Sequence, residues 1–174
     1  MVDVFLPRSS GVSVNPECQT AFQQLGKGKN GYRYVIFKID DQGKEIVVER
    51  TREYDSPEDQ EDYSDNSKAA YEAFLADLKS LTNDLTECRY AAFDFKLSIM
   101  RQGAGVSKMD KIIFLQICPD GASIKKKMVY ASSASAIKAA LGTGKIIALQ
   151  VSDESEMSHK ELVGKLSDKY GDNS

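Results

Sequence analysis

The chain has a single histidine, His159, which removes histidine-based catalytic triads and multi-histidine metal sites. Cysteine is also scarce. Cys18, Cys88 and Cys118 are odd in number and widely spaced, which argues against a disulfide framework and against a Cys-x-x-Cys metal motif. Such cysteines fit a reducing compartment, where they serve as small buried apolar residues. Excess positive charge is missing too. A formal net charge of -3 disfavours nucleic acid as a partner, so any anion-binding surface has to be local. No apolar run approaches the roughly 18 to 20 residues that cross a bilayer. Residues 1–6 are too short for a secretory core, and Asp3, their only charge, has the wrong sign. The expected location is the cytosol.

What is present is enough for one domain: 174 residues, of which 41% are hydrophobic and 28% charged. Asn15-Pro16-Glu17 reads as a helix start, an N-cap followed by proline and a carboxylate at the positive end of the dipole. Val14, Cys18, Ala21, Phe22 and Leu25 follow at helical spacing. Residues 32–39 are rich in aromatic and β-branched residues with a middle apolar on both faces, a central strand, and 45–50 return after the turn at Asp40-Asp41-Gln42-Gly43. Residues 53–65 are acidic and polar and are expected to form a solvated surface loop. Tyr71, Phe74, Leu75 and Leu78 mark a helix over 67–81. Strands are expected over 88–99 and, after a glycine-containing loop at 101–107, over 112–117. Ser123 caps a third helix, with Ile124, Met128, Ala131, Ile137 and Leu141 expected inward. A further strand covers 145–151. The last helix begins with the capping box Ser158-His159-Lys160-Glu161, with Met157 stapled to Leu162, and carries a core face of Leu162, Val163, Leu166 and Tyr170. The order is that of a single α/β domain whose helices cover a mixed sheet. Its expected limits are 9–171, with an N-terminal extension over 1–8, the acidic loop at about 53–66, and a tail over 172–174.

Three chemical-looking motifs fail on context. Gly26-Lys27-Gly28-Lys29-Asn30-Gly31 spells G-x-G-x-x-G but follows a helix and opens a strand, the reverse of a dinucleotide loop. Gly142-Thr143-Gly144-Lys145 has the same fault, and Ile146 stands where a P-loop needs a hydroxyl. The carboxylates of 58–65 lack the apolar surroundings that raise a pKa, and they do not spell a calcium loop. No cofactor, metal or enzymatic activity is expected.

One constellation stands out. Lys125-Lys126-Lys127 places three cations in the first turn of the third helix, where each opposes the dipole at roughly 0.3 to 1 kcal/mol. Either this is a charge-balanced exposed face near Asp120, or it meets an acidic protein surface or a phosphorylated lipid headgroup. The neighbouring Met128, Ser132 and Ser133 supply the apolar and hydrogen-bonding contacts of an interface.

Lys127-Met128-Val129-Tyr130-Ala131-Ser132-Ser133, preceded by Cys118-Pro119-Asp120, resembles the signature of the ADF/cofilin family. Ser10-Gly11-Val12, Cys88-Arg89-Tyr90-Ala91 with Phe93-Asp94, and Lys111-Ile112-Ile113-Phe114 are similar to other family landmarks in the same order. The resemblance spans residues 10–171, and 107–133 and 151–161 look most like a nematode non-muscle isoform. It implies an ADF-homology fold of five or six mixed strands flanked by four or five helices. It also implies binding to actin monomers and filaments, preference for ADP-actin, severing and faster subunit turnover by a monomeric protein. Carried over, the surface shared by both actin forms would be Ser10, Gly11, Val12, Lys125, Lys127, Met128, Ser132, Ser133 and Lys138. Ser10 falls on the family's inhibitory phosphorylation site. The chain also departs from the family pattern. Ala134 and Ser135 replace a basic and an acidic residue. On the filament-only surface Met109 and Asp110 precede a retained Lys111, and Gly164, Lys165 and Asp168 stand where members often carry Glu, Arg and Arg. Weak stable filament binding is therefore expected, with a conventional severing cofilin or a phosphoinositide-binding module as alternatives.

Overall fold

The computed structural model describes residues 11–27, 31–54, 62–101, 103, 105–142 and 146–170. A short strand β1 (Ser13–Val14) leads into α1 (Pro16–Gln23), where the Asn15 side chain accepts the Glu17 amide at 2.8 Å. Strands β2 (Tyr32–Ile39) and β3 (Glu45–Glu53) follow, then α2 (Lys68–Leu81), β4 (Arg89–Arg101), β5 (Gly105–Ile117), α3 (Ile124–Leu141), β6 (Ile146–Val151), a single 3-10 turn at Ser155–Met157, and α4 (His159–Tyr170). The six strands form one sheet in the order β1-β3-β2-β4-β5-β6. Its central pairings are antiparallel, while β1 on β3 and β6 on β5 are parallel. The sheet is therefore mixed, as expected.

Strand alternation divides the core in two. On one face Val35, Phe37, Tyr90, Ala92 and Phe114 pack under α1 and α3. On the other, Tyr34, Ile36, Phe93, Phe95 and Ile113 pack under α2 and α4. The second face is aromatic: Tyr34 meets Phe74 edge-on at 5.2 Å and Tyr71 meets Phe93 at 5.4 Å, pairs worth about 0.5 to 1.5 kcal/mol beyond their buried area.

Four expectations need correction. Strand β5 starts at Gly105, not near 112, and pairs with β4 from Arg89↔Ile117 out to Arg101↔Gly105. Its polar outer half hid it, because a strand that leaves the core has no apolar run to announce it. Nor is the end of the acidic segment a solvated loop. Strand β3 runs on to Glu53, and residues 62–67 dock onto the edge of β4 that β2 leaves open beyond Phe93. There the Ser67 hydroxyl accepts the Lys96 amide at 2.7 Å and donates to the Lys96 carbonyl at 3.0 Å, and Asn66 accepts the Ser98 amide at 2.8 Å. Side chains thus satisfy a strand edge that would otherwise be unpaired. Asp62 pairs with Arg33 at 3.0 Å, and Arg33 is only 2% exposed. Residues 55–61 of the acidic run lie outside the described residues, as do 1–10, 28–30, 102, 104, 143–145 and 171–174.

The third correction concerns α3. Its buried stripe is Tyr130, Ser133, Ala134, Ile137 and Leu141, whereas Ile124 and Met128 are 73% and 66% exposed and Ala131 faces solvent. Apolar residues surround this helix, so spacing alone could not say which stripe is buried. The fourth concerns the final cap. Ser158 Oγ accepts the Glu161 amide at 3.2 Å, but the Ser158 amide is taken by the Ser155 carbonyl, so the capping box is not reciprocal. Met157 and Leu162 are both buried in the same cluster, as the staple requires.

Candidate functional site

The α3 N-terminus is held in place from below. Ser123 Oγ accepts the Lys126 amide at 3.2 Å. One turn on, the Tyr130 hydroxyl accepts the Ile39 amide at 2.9 Å, and the Tyr90 hydroxyl donates to the Tyr130 carbonyl. These bonds fasten α3 to β2 and β4. Burial pushes the Tyr130 hydroxyl up to about 12, which keeps this anchor neutral at working pH.

With Tyr130 fixed inward, the opposite side of the helix is set. Ile124, Lys125, Lys126, Met128, Ala131 and Ser135 are exposed, and Lys127, Ser132 and Lys138 are half-buried. Lys125 to Lys138 spans about 20 Å at 1.5 Å per residue. Among the described residues none of the three lysines at the helix start is ion-paired, and Asp120 does not neutralise them. Two large apolar side chains, each more than half exposed, lie within this cationic turn. Water solvates such side chains poorly, and a partner would cover them.

Beside the lysines are two shallow depressions. One, of about 340 Å³, is lined by Val12, Asp41, Lys125, Lys126 and Val129 among others; the second, of about 310 Å³, by Lys38, Glu87, Arg89, Ser123 and Lys126 among others. Lys126 reaches both. Lys126 belongs to the lysine run singled out above but not to the residues carried over for the actin surface, and Ile124 was expected inward. Ile124 carried no signal distinguishing it from a core residue.

The structure brings most of the expected residues together and removes two from the surface. Gly11 is exposed at φ 72°, a conformation glycine adopts without strain. Val12, by contrast, is buried in the α1/α3 cluster and anchors the N-terminal segment. Ser133 is 1% exposed and donates to the Val129 carbonyl at 2.7 Å; it packs the helix and cannot reach a partner. Ser132, half-buried, also bonds Val129 O, at 3.2 Å. Ser10 lies outside the described residues. Lys111 and Lys165 belong elsewhere. Lys111 follows the α2/α4 side of β5, between Met109 and Ile113, and Lys165 is exposed on α4. Asp110, on the other side of the strand, is bonded to Lys96 Nζ at 3.0 Å and to the Tyr63 hydroxyl at 2.8 Å. It is internally partnered and not a loose repulsive charge.

Residues 11–167 match the family described as Cofilin/tropomyosin-type actin-binding protein. The chain belongs to the ADF/cofilin family. This ADF/cofilin chain is 62% identical over 160 residues to actin-depolymerizing factor 1, isoforms a/b, of Caenorhabditis elegans, covering 89% of the chain and 73% of that protein. It is 38% identical to the cofilin of Schizosaccharomyces pombe, over 92% of the chain and 98% of that protein. Among solved structures, that of an ADF-like protein of Caenorhabditis elegans superposes with a TM-score of 0.75 at 62% identity, covering 94% of this chain and 99% of that one. The nematode resemblance read from 107–133 and 151–161 agrees with these matches. Among the described residues no group of three or more His, Cys, Asp or Glu could hold a metal ion, and no helix is long and apolar enough to cross a membrane.

Proposed function

We propose that this ADF/cofilin chain binds actin monomers and promotes filament depolymerisation and turnover, as a stoichiometric partner and not an enzyme. The observation that carries the reading is the solvent face of α3, where exposed Ile124 and Met128 stand among unpaired lysines. Met128 and Ile124 enter an apolar cleft of the partner, while Lys125, Lys127 and Lys138 meet its carboxylates. The binding residues are thus Lys125, Lys127, Met128, Ser132 and Lys138, with Gly11 and Ser10 in the adjoining N-terminal segment. Stable filament binding is weak, because of the family's basic positions on the filament side only Lys111 and Lys165 stay basic, with Met109, Asp110 and Asp168 at others. The protein works as a monomer in the cytoplasm, at the actin cytoskeleton.

Actin co-sedimentation with the supernatant assayed tests this directly. Monomer binding with depolymerisation raises soluble actin, conventional decoration raises the pelleted protein, and a chain that does neither contradicts the proposal. A second reading, binding of phosphoinositide headgroups, is favoured by Lys126, which lines both depressions beside the helix N-terminus. Phosphorylation of Ser10 acts as the switch. Ser10 is two residues from Val12, whose depression Lys125 and Lys126 line. A phosphate on Ser10 adds about -1.5 to -2 charges to the N-terminal segment and repels an acidic partner. Ser10→Glu should lower actin affinity in co-sedimentation with an unchanged far-UV circular dichroism spectrum, and Ser10→Ala should bind normally.

A further inference from the structure

Two of the three cysteines come together in the fold. Arg89 and Ile117 form the last register pair of β4 and β5, and Cys88 and Cys118 stand one residue beyond it on the two strands. Residues opposite each other on antiparallel strands have Cα atoms roughly 4.5 to 5.5 Å apart, within the range a disulfide spans. Both side chains lie on the α1/α3 face, Cys88 inside that cluster and Cys118 packed against it. Cys88 is buried, while Cys118 is half-buried at the start of the connection to α3.

We propose that Cys118 and Cys88 form a peroxide-reactive dithiol that closes to a disulfide beneath the first turn of α3. Cys118 is the attacking sulfur, since it is the one solvent reaches. Gln116 Nε2 approaches its Sγ at 4.0 Å. Hydrogen bonding from the Cys88 thiol, aided by Gln116 and the Lys127 charge, holds Cys118 below the ordinary thiol value, while the same contact and burial push Cys88 up. Cys118 is thus the more acidic of the two thiols. A hydroperoxide supplies the oxidising equivalents. The Cys118 thiolate attacks the peroxide O–O bond, giving sulfenic acid and hydroxide for hydrogen peroxide. The Cys88 sulfur then attacks the sulfenic sulfur, the S–S bond forms, and the Cys88 proton leaves with the hydroxyl as water. A thiol reductant reverses the bond by giving it two electrons and two protons, and is itself oxidised to a disulfide. Cys18 stays outside this chemistry: it is fully buried, its thiol donates to the Ile46 carbonyl at 3.4 Å, and burial pushes it up to about 12.

The test reads thiols and is independent of actin. The full chain is treated with hydrogen peroxide at neutral pH, then mapped by mass spectrometry without reduction. The expected result is a loss of two hydrogens, a peptide link between Cys88 and Cys118, Cys18 still alkylatable after denaturation, and recovery of all three thiols with dithiothreitol. Cys88→Ser should instead accumulate a Cys118 sulfenic acid that a cyclic 1,3-dione traps, and Cys118→Ser should form no intramolecular link. Should a variant fail to fold, the wild-type map decides alone. Links to Cys18 or between chains, direct passage of Cys118 to sulfinic acid, or no thiol loss overturns the proposal.

Discussion

At the residue scale, the lysines of α3 are placed for contact and not for stability. They crowd the positive end of the helix dipole without an ion pair among the described residues. Replacing Lys125 and Lys127 together with alanine should weaken monomer binding by about 2 kcal/mol, roughly 30-fold, because two charge-assisted contacts disappear. The thermal midpoint should stay level or rise slightly. Titration of labelled monomeric actin together with a melting curve separates the two effects, and unchanged affinity would remove these lysines from the interface. Ser133 shows the converse case. It belongs to the same short motif but spends its hydroxyl on the Val129 carbonyl inside the helix, so membership of a motif does not make a residue a contact.

At the element scale, the turn over 62–67 substitutes for a missing strand neighbour. Ser67 carries this role, bonding the Lys96 amide and carbonyl and accepting from Arg33 Nη2 at 2.7 Å. Ser67→Ala leaves a buried amide, a carbonyl and a guanidinium nitrogen short of a partner. It should lower stability by about 2 to 3 kcal/mol, read as a fall in the urea midpoint with little change in slope. The connection from β6 to α4 is held differently. Glu156 Oε1 accepts the Ser152 amide at 2.6 Å, the Ser152 hydroxyl at 3.0 Å and the Asp153 amide at 3.2 Å. Those bonds, the Ser152 amide foremost, hold the Glu156 carboxyl below its ordinary value. A group with a depressed folded pKa contributes stability above its unfolded pKa and loses it as pH falls through the folded one. Glu156→Gln should therefore lower the thermal midpoint at neutral pH, with the gap to wild type closing as the solution is acidified below the usual carboxylate range, about pH 4. A gap constant with pH would show that the charge is not what matters.

At the scale of the whole molecule, the sheet separates two surfaces. The α3 face lies over one side, and Lys111 and Lys165 belong to the other, so charge changes on α4 should be felt selectively. Asp168→Arg should increase pelleting with filaments, more at low salt than at high, and leave monomer affinity unchanged. An equal gain for monomers would mean only a general charge effect. Asp110→Ser is expected to behave otherwise. It deprives Lys96 of one of its two carboxylate partners and should cost about 1 kcal/mol of thermal stability while giving little filament gain.

Much of the fold was legible because local chemistry and tertiary packing agree there. Asn15-Pro16-Glu17 starts a helix through the chain's own side chains, and the aromatic and β-branched stretch Tyr34–Phe37 marks a strand buried on both faces. The lysine-rich start of α3 was legible for a similar reason: cations at a helix N-terminus oppose local energetics, and such a conflict points to a partner. Tertiary structure decided the rest. Which side of α3 is buried depended on Tyr130 meeting Ile39 and Tyr90, residues distant in the chain. That contact also settled the opposite fates of Met128 and Ser133. The polar half of β5 became a strand because β4 was there to pair with it, and the end of the acidic segment became structural because β4 had an unpaired edge. Backbone groups at an edge must find partners, and only the assembled sheet determines which side chains lie within reach.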